Sequence, residues 1–257
     1  AMWIDPQQRQ RAETLNYTVV DPTSVLATHI TEIVKSYADE LLTREEVNNL
    51  LEGLKDKAGK LVEETVPAVI KTGELQKIMQ SLLRERVPIR DMECVLETLA
   101  DWGTKTKDLD VLVEYVRNGL RRTICAQYAS PDDEGNLRLL CVTLDPNLED
   151  QINAYIDRNA QGTTMNMPAR VAREIAGKVS DGLGQVTMHG GLPVVIASPQ
   201  VRSAVWQIIE PHVPAVAVLG YNEIVPGIDV QSLALIEPIG QEQPQGARQQ
   251  PMNAAAS

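Results

Sequence analysis

Through much of the chain's first half, apolar residues recur at three- and four-residue spacing. Leu75, Ile78, Met79, Leu82 and Leu83 make one such run; Met92, Val95, Leu96 and Leu99 make another. Apolar positions at i, i+3, i+4 and i+7 share one face of an α-helix, so each run predicts a helix with a single buried stripe. Between them stands Arg86-Val87-Pro88-Ile89-Arg90-Asp91. Pro88 lacks an N–H and disfavours helix at Val87, which splits the pattern into two helices meeting at a corner. On physics alone, Arg86, Arg90 and Asp91 form a solvated rim there. The same period continues at Val25, Leu26, Ile30, Ile33, Val34, Tyr37 and Leu41, after a start at Asp21-Pro22 with Asp at N-cap and Pro at N1. It returns at Val47, Leu50, Leu51, Leu54, Leu61 and Val62, behind a capping box of Thr43 and Glu46. Gly53 and Gly59 weaken that helix by roughly 1 kcal/mol each relative to Ala. Asp108 opens a further helix with Leu109, Leu112, Val113, Val116, Leu120 and Ile124 inward. Residues 22–128 are thus predicted to be almost wholly helical.

Outside that block the pattern changes. Trp3-Ile4 and Tyr17-Thr18-Val19-Val20 are short extended candidates around a polar helix at 5–14, and 66–70 is a third extended piece. Trp3-Ile4 reads as a strand end with no partner supplied. Residues 137–144 are rich in Leu and Val without a helical stripe and predict a strand. A helix at 147–158 and a polar linker at 159–166 follow. The last third alternates: a helix at 167–178, a glycine-rich turn at 182–191, strands at 192–197, 215–219 and 230–236, and a helix at 200–209 begun by Ser198-Pro199. Strand–helix–strand at this spacing predicts a small α/β unit. Residues 238–257 are rich in Gln, Pro and Ala, lack periodicity, and predict a disordered tail.

Composition narrows the function. The 257 residues, 43% hydrophobic and 23% charged, suit a soluble globular protein with a large core. No apolar run approaches the ~20 residues of a membrane helix. The start has neither a basic n-region nor an apolar h-region, so no signal peptide is expected. A net charge of −11 argues against nucleic acid or anionic lipid as partner. Cys94, Cys125 and Cys141 fall inside apolar patterns and read as buried reduced thiols. The three histidines are scattered, with no zinc spacing, so no metal is expected. Gly182-Leu183-Gly184 and Gly190-Gly191 match neither GxGxxG nor a P-loop, and no cofactor is expected. Ser198 lacks the G-x-S-x-G elbow and reads as an N-cap. Asp39-Glu40 and Glu45-Glu46 read as solvated helical acids. Arg84, Arg86, Arg90, Arg121 and Arg122 lack the interleaved aromatics of a nucleic-acid surface. An interaction protein is the leading class. The alternative from another class is a hydrolase using Ser198 or Cys141 with His189, if folding joins them.

Specific wording carries a further reading. Thr18-Val19-Val20-Asp21-Pro22 with Ala27-Thr28-His29, Val87-Pro88-Ile89-Arg90-Asp91 with Leu96-Glu97-Thr98-Leu99-Ala100, Glu114-Tyr115-Val116-Arg117 with Leu120, and Tyr221-Asn222-Glu223-Ile224 follow one another from about Trp3 to about Ile236. In this order the chain resembles the cytoplasmic part of the flagellar type III export gate family (FHIPEP), whose paralogues serve injectisomes. The resemblance implies a docking platform of the protein export gate that binds export chaperone–substrate complexes and helps order export. The injectisome gate is the alternative. It implies a protein that is not an enzyme, the export ATPase being separate. It implies a membrane anchor outside this chain, a location on the cytoplasmic face of the bacterial inner membrane, and a nine-membered homo-oligomeric ring. Its partners would be flagellar export chaperones and their cargo, other export-apparatus proteins and the ATPase complex, but no nucleic acid. The implied fold is α+β and multi-subdomain: a partial α/β first subdomain (1–21 and 67–86), an inserted helical second (22–66), a mainly helical third (87–164), an α/β fourth (165–237) and the tail (238–257). The family's chaperone groove maps to Asp39, Leu42 and Gly73, of which only Asp39 keeps the family's residue type; the chain has no Phe. Arg90, Asp91 and Arg117 are candidates for interdomain or ring ion pairs, which makes the Val87–Asp91 corner a junction between a docking half and a ring-building half.

Overall fold

The computed structural model describes residues 2–132, 134–159 and 162–240. It is α+β, as expected, and its packing divides the chain into two compact units, one running to Gln127 and the other starting at Tyr128.

The first unit is helical: α1 (Arg9–Thr14), α2 (Pro22–Ser36), α3 (Ala38–Leu41), α4 (Arg44–Thr65), α5 (Thr72–Arg84), α6 (Met92–Trp102) and α7 (Leu109–Gly119), with α8 (Arg121–Tyr128) leading out of it. The caps stand where short polar side chains precede each stripe. Asp21 accepts from the N–H groups of Thr23 and Ser24, Thr43 from Glu46, Asp91 from Cys94, and Asp108 from Asp110 and Val111. Leu75, Ile78, Met79 and Leu82 of α5, Val95, Leu96 and Leu99 of α6, and Leu112 and Val116 of α7 are all buried and make the core. α4 is bent at Ala58 (φ −135°, ψ 45°), beside Gly59. At the corner, Arg86 takes a left-handed φ of 58° and the Val87 N–H closes onto Leu82 O at 2.8 Å. Arg117 lies beneath it, its Nη1 2.9 Å from Glu85 Oε2.

Two expectations fail here. Trp3-Ile4, Tyr17–Val20 and 66–70 form no strand. An extended segment needs a ladder partner for its N–H and C=O groups, and none stands beside them among the described residues. At 66–70 the chain turns instead, with the Val69 and Ile70 N–H groups donating to Thr65 O. The stripe of α2 also finds no cover: Leu26, Ile30, Ile33, Val34 and Tyr37 are about half exposed, and no residue of α2 is buried.

The second unit carries β1 (Ser130–Pro131), β2 (Leu137–Leu144), α9 (Pro146–Asn153), β3 (Ile156–Asn159), β4 (Gly162–Met165), α10 (Ala169–Met188), β5 (Val194–Ala197), α11 (Arg202–Ile209), β6 (Ala217–Gly220) and β7 (Ile228–Ile236). β2 pairs parallel with both β5 and β7, β6 runs parallel to β5, and β1 is antiparallel to β2. β5 and β6 are buried throughout and β2 is buried from Leu139 to Val142, as in a parallel sheet covered on both faces. Because β2 joins β5 and β7, the sheet crosses the expected 164/165 boundary: residues 137–144 pair with strands far along the chain. Residues 147–158 split into α9 and β3, and the expected linker at 159–166 is largely the other arm of a β3–β4 hairpin. Ser198 does not cap α11, which starts at Arg202. The glycine-rich turn is also corrected. α10 continues to Met188, because Ile175, Ala176, Val179, Leu183 and Val186 keep the stripe running through it. A Cβ on Gly182 would stand 3.1 Å from Ile236 Cδ1 and 3.3 Å from Ala234 Cβ and Val142 Cγ2, so this glycine lets α10 lie close on the sheet. After β7, the Gln151 side-chain amide pairs with both the N–H and the C=O of Ile239, and Lys178 Nζ reaches Pro238 O at 3.0 Å. The rest of the expected disordered tail, 241–257, lies outside the described residues.

Candidate docking groove

The three groove positions taken from the resemblance come together on one helix face. Gly73, Gln76, Gln80 and Arg84 of α5 stand at helical spacing, opposite the buried stripe, and face α3 and the start of α4. Arg84 Nε lies 3.2 Å from Asp39 Oδ2. Gln80 Nε2 donates to Asp39 O at 3.0 Å and to Leu42 O at 3.2 Å, and Gln76 Nε2 donates to Leu42 O at 3.0 Å. These bonds satisfy the last carbonyls of the short helix α3, which its four residues cannot pair internally. Leu42 is buried and forms part of the floor, while its neighbour Leu41 is 57% exposed. Gly73 lies under Arg44: a Cβ there would meet Arg44 Nη2 at 2.8 Å. Asp39, Leu42 and Gly73 therefore line one edge of α5, and the outermost charged groups are Arg44 and Arg84. Gln76, Gln80 and both arginines were missed as site residues. The signal available was the second, polar stripe of α5, at the same period as the apolar one.

The ion-pair candidates separate. Arg90 is exposed and makes no ion pair among the described residues. Asp91 is the N-cap of α6. Arg117 is only 2% exposed and is held by Glu85, so it offers nothing to a second subunit. At the corner it is Arg86 that reaches out, to Glu32 at 3.5 Å. Lys35, hydrogen-bonded to Glu32, and then Arg86 hold the Glu32 carboxyl below its usual range.

Among the described residues no hydrogen bond joins His189 to Ser198 or Cys141. His189 Nδ1 lies 2.8 Å from Gln185 O of its own helix. Burial pushes the Cys141 thiol up to about 11, away from the thiolate a nucleophile needs. The Ser198 N–H donates to Glu149 at 2.7 Å, and the open cleft of about 310 Å³ that it lines with Glu149, Asp150 and Asn153 has no histidine in its wall. Among the described residues no group of three or more His, Cys, Asp or Glu side chains is placed to hold a metal ion, and no helix is long and apolar enough to cross a membrane.

A helical unit followed by a small parallel α/β unit is the fold of the soluble parts of type III export gate proteins. CdsV of Chlamydia pneumoniae superposes with a TM-score of 0.80 at 26% identity, over 91% of this chain and 66% of that one. The nonameric EPEC SctV-C superposes at 0.76 and 26%, over 90% and 68%. The profile of the FHIPEP family matches residues 1–229, and the chain belongs to that family. The flagellar biosynthesis protein FlhA of Bacillus subtilis (strain 168) is 35% identical over 237 residues, 92% of this chain and 34% of FlhA. The chain thus spans about a third of the length of the curated relatives it matches.

Proposed function

We propose that this chain is the cytoplasmic docking platform of a flagellar type III export gate, binding export chaperone–substrate complexes along the α3–α5 groove and helping to order export. The observation that carries the reading is the convergence of the Asp39–Leu42 segment with Gly73, some thirty residues on, along one face of α5 in a member of this family. The work of such a platform is binding, with open and occupied populations shifted by partners, and it calls for no catalytic group. The nonameric state of EPEC SctV-C supports a ring of nine for this chain, with exposed Arg90 on its rim. The place at the inner membrane's cytoplasmic face and contact with the ATPase complex belong to the same reading, as does a subdomain division in which β2 goes with the α/β part. Identity of 35% to a flagellar relative against 26% to CdsV favours the flagellar over the injectisome assignment.

The test is calorimetric titration of the 257-residue chain with purified flagellar chaperone–cargo complexes. Micromolar or tighter binding, weakened about tenfold or more by Asp39→Ala, is expected. No binding by flagellar complexes together with binding by injectisome chaperones would move the chain to the paralogous system.

A further inference from the structure

The groove's geometry reassigns its charges. Asp39 is the acid that the family pattern marks, yet its side chain is only 15% exposed and is held by Arg84, whose own side chain is 59% exposed. Arg84 uses Nε for that contact and makes no other polar contact among the described residues. Its two outer nitrogens therefore remain available as a fork for a carboxylate. Arg44 has no polar partner among the described residues. Its guanidinium lies across Gly73, where the absence of a Cβ leaves room for it. Gly73 and Arg84 are three turns apart on the same face of α5, about 16 Å along its axis at 1.5 Å per residue, so Arg44 and Arg84 mark its two ends. Between them the floor is Leu42, Gln76 and Gln80, whose amides are already spent on Asp39 and Leu42 backbone oxygens. Beside the floor, Tyr37 and Leu41 stand exposed one helical turn apart.

We propose that Arg44 and Arg84 are the docking cations of this groove and that its occupant is an acidic amphipathic helix, with a carboxylate toward each end and an apolar residue between them for Tyr37 and Leu41. The inference rests on the docking reading above and names the partner's chemistry. Three things support a helical acidic occupant. The two cations stand toward opposite ends of one helix face, a layout that a second helix laid along α5 spans. The first unit has no strand among its described residues to which an extended peptide could add. The chain carries a net −11, so an acidic partner is repelled by most of the surface, and a two-arginine patch fixes where and in what register it lands. Asp39 is then a positioning residue: it aims Arg84 and does not itself meet the partner.

The experiment measures affinity for purified flagellar chaperone–cargo complexes across Arg44→Glu, Arg84→Gln, the Arg44→Glu/Arg84→Gln pair, Asp39→Ala, and Asp39→Ala combined with Arg84→Gln. Each single arginine change is expected to weaken binding about tenfold and the pair at least fiftyfold, with affinity falling steeply in added salt. Asp39→Ala weakens binding in the parent chain but adds nothing once Arg84 is gone, a coupling that a direct Asp39 contact would not show. Arg44 makes no bond that its loss would break, so Arg44→Glu keeps the test free of folding artefacts. Binding that is present but unchanged in the paired variant overturns the inference and leaves the docking reading standing. No binding by the parent chain overturns both. Self-association of the chain that Arg44→Glu abolishes would give the surface to a neighbouring copy and also overturn the inference.

Discussion

α2 and α10 are written in the same code and end in opposite circumstances. Both carry apolar residues at helical spacing. In α10, Ile175, Val179, Leu183 and Val186 disappear beneath the helix against the parallel sheet, and Gly182 brings the two surfaces closer still. In α2, Leu26, Ile30, Ile33 and Val34 remain about half exposed, and the helix is fastened at its end through the Glu32–Arg86 ion pair and the Arg86–Ser36 hydrogen bond. Periodicity states what a face requires. Whether the requirement is met depends on which segments lie nearby, and that is a property of tertiary structure. The same contrast separates the charges: Arg117 and Glu85 are enclosed, while Arg86 and Glu32 stand in water.

The sharpest way to break this comparison is at the charges. Arg117→Ala breaks the buried ion pair with Glu85 and is expected to cost about 3–5 kcal/mol in urea unfolding, against at most about 1 kcal/mol for Arg86→Ala. Equal effects would mean that Arg117 is hydrated in solution. Next come the two stripes. Ile175→Ala opens a cavity under α10 and should cost about 2–5 kcal/mol, whereas Ile30→Ala on α2 should stay within about 0.5 kcal/mol. A large loss at Ile30 would show that the α2 face is covered. A third test uses pH. Burial raises the Cys141 thiol from 9.0 to about 11 in the fold, so the neutral thiol's stabilising contribution is complete below pH 9 and is lost as pH climbs from 9 towards 11. The loss reaches roughly 2–3 kcal/mol above that window. Unfolding curves from pH 8 to 10.5 should fall more steeply for the parent chain than for Cys141→Ala, and parallel curves would place Cys141 in a wetter site.

What the sequence made legible was local. Asp21, Thr43 and Asp108 announced helix starts because a cap needs only its own first turn, and each caps as expected, whereas Asp91, read as a rim charge, turns out to cap α6. Strands β2, β5, β6 and β7 were legible as segments, but the pairing of β2 with β7 was not, since nothing near Leu137 names Ile228 as its neighbour. Gly182 misled for a related reason: a glycine that makes room for a distant side chain looks the same in sequence as one that makes a turn. At the groove, the resemblance supplied Asp39, Leu42 and Gly73. Arg44 and Arg84 became visible only when folding laid one across Gly73 and the other against Asp39.

The β2–β7 pairing also sets a timetable. Cys141 and Gln231, which meet across these strands, lie 90 residues apart. At a synthesis rate of about 5–20 residues per second, β2 emerges roughly 5–20 s before the strand that completes its sheet. The core of the helical unit, where the stripes of α5, α6 and α7 bury against helices near in sequence, faces no such delay. Newborn chains therefore pass through an interval with one half folded and the other still presenting a bare apolar strand, which is when they most need protection from one another.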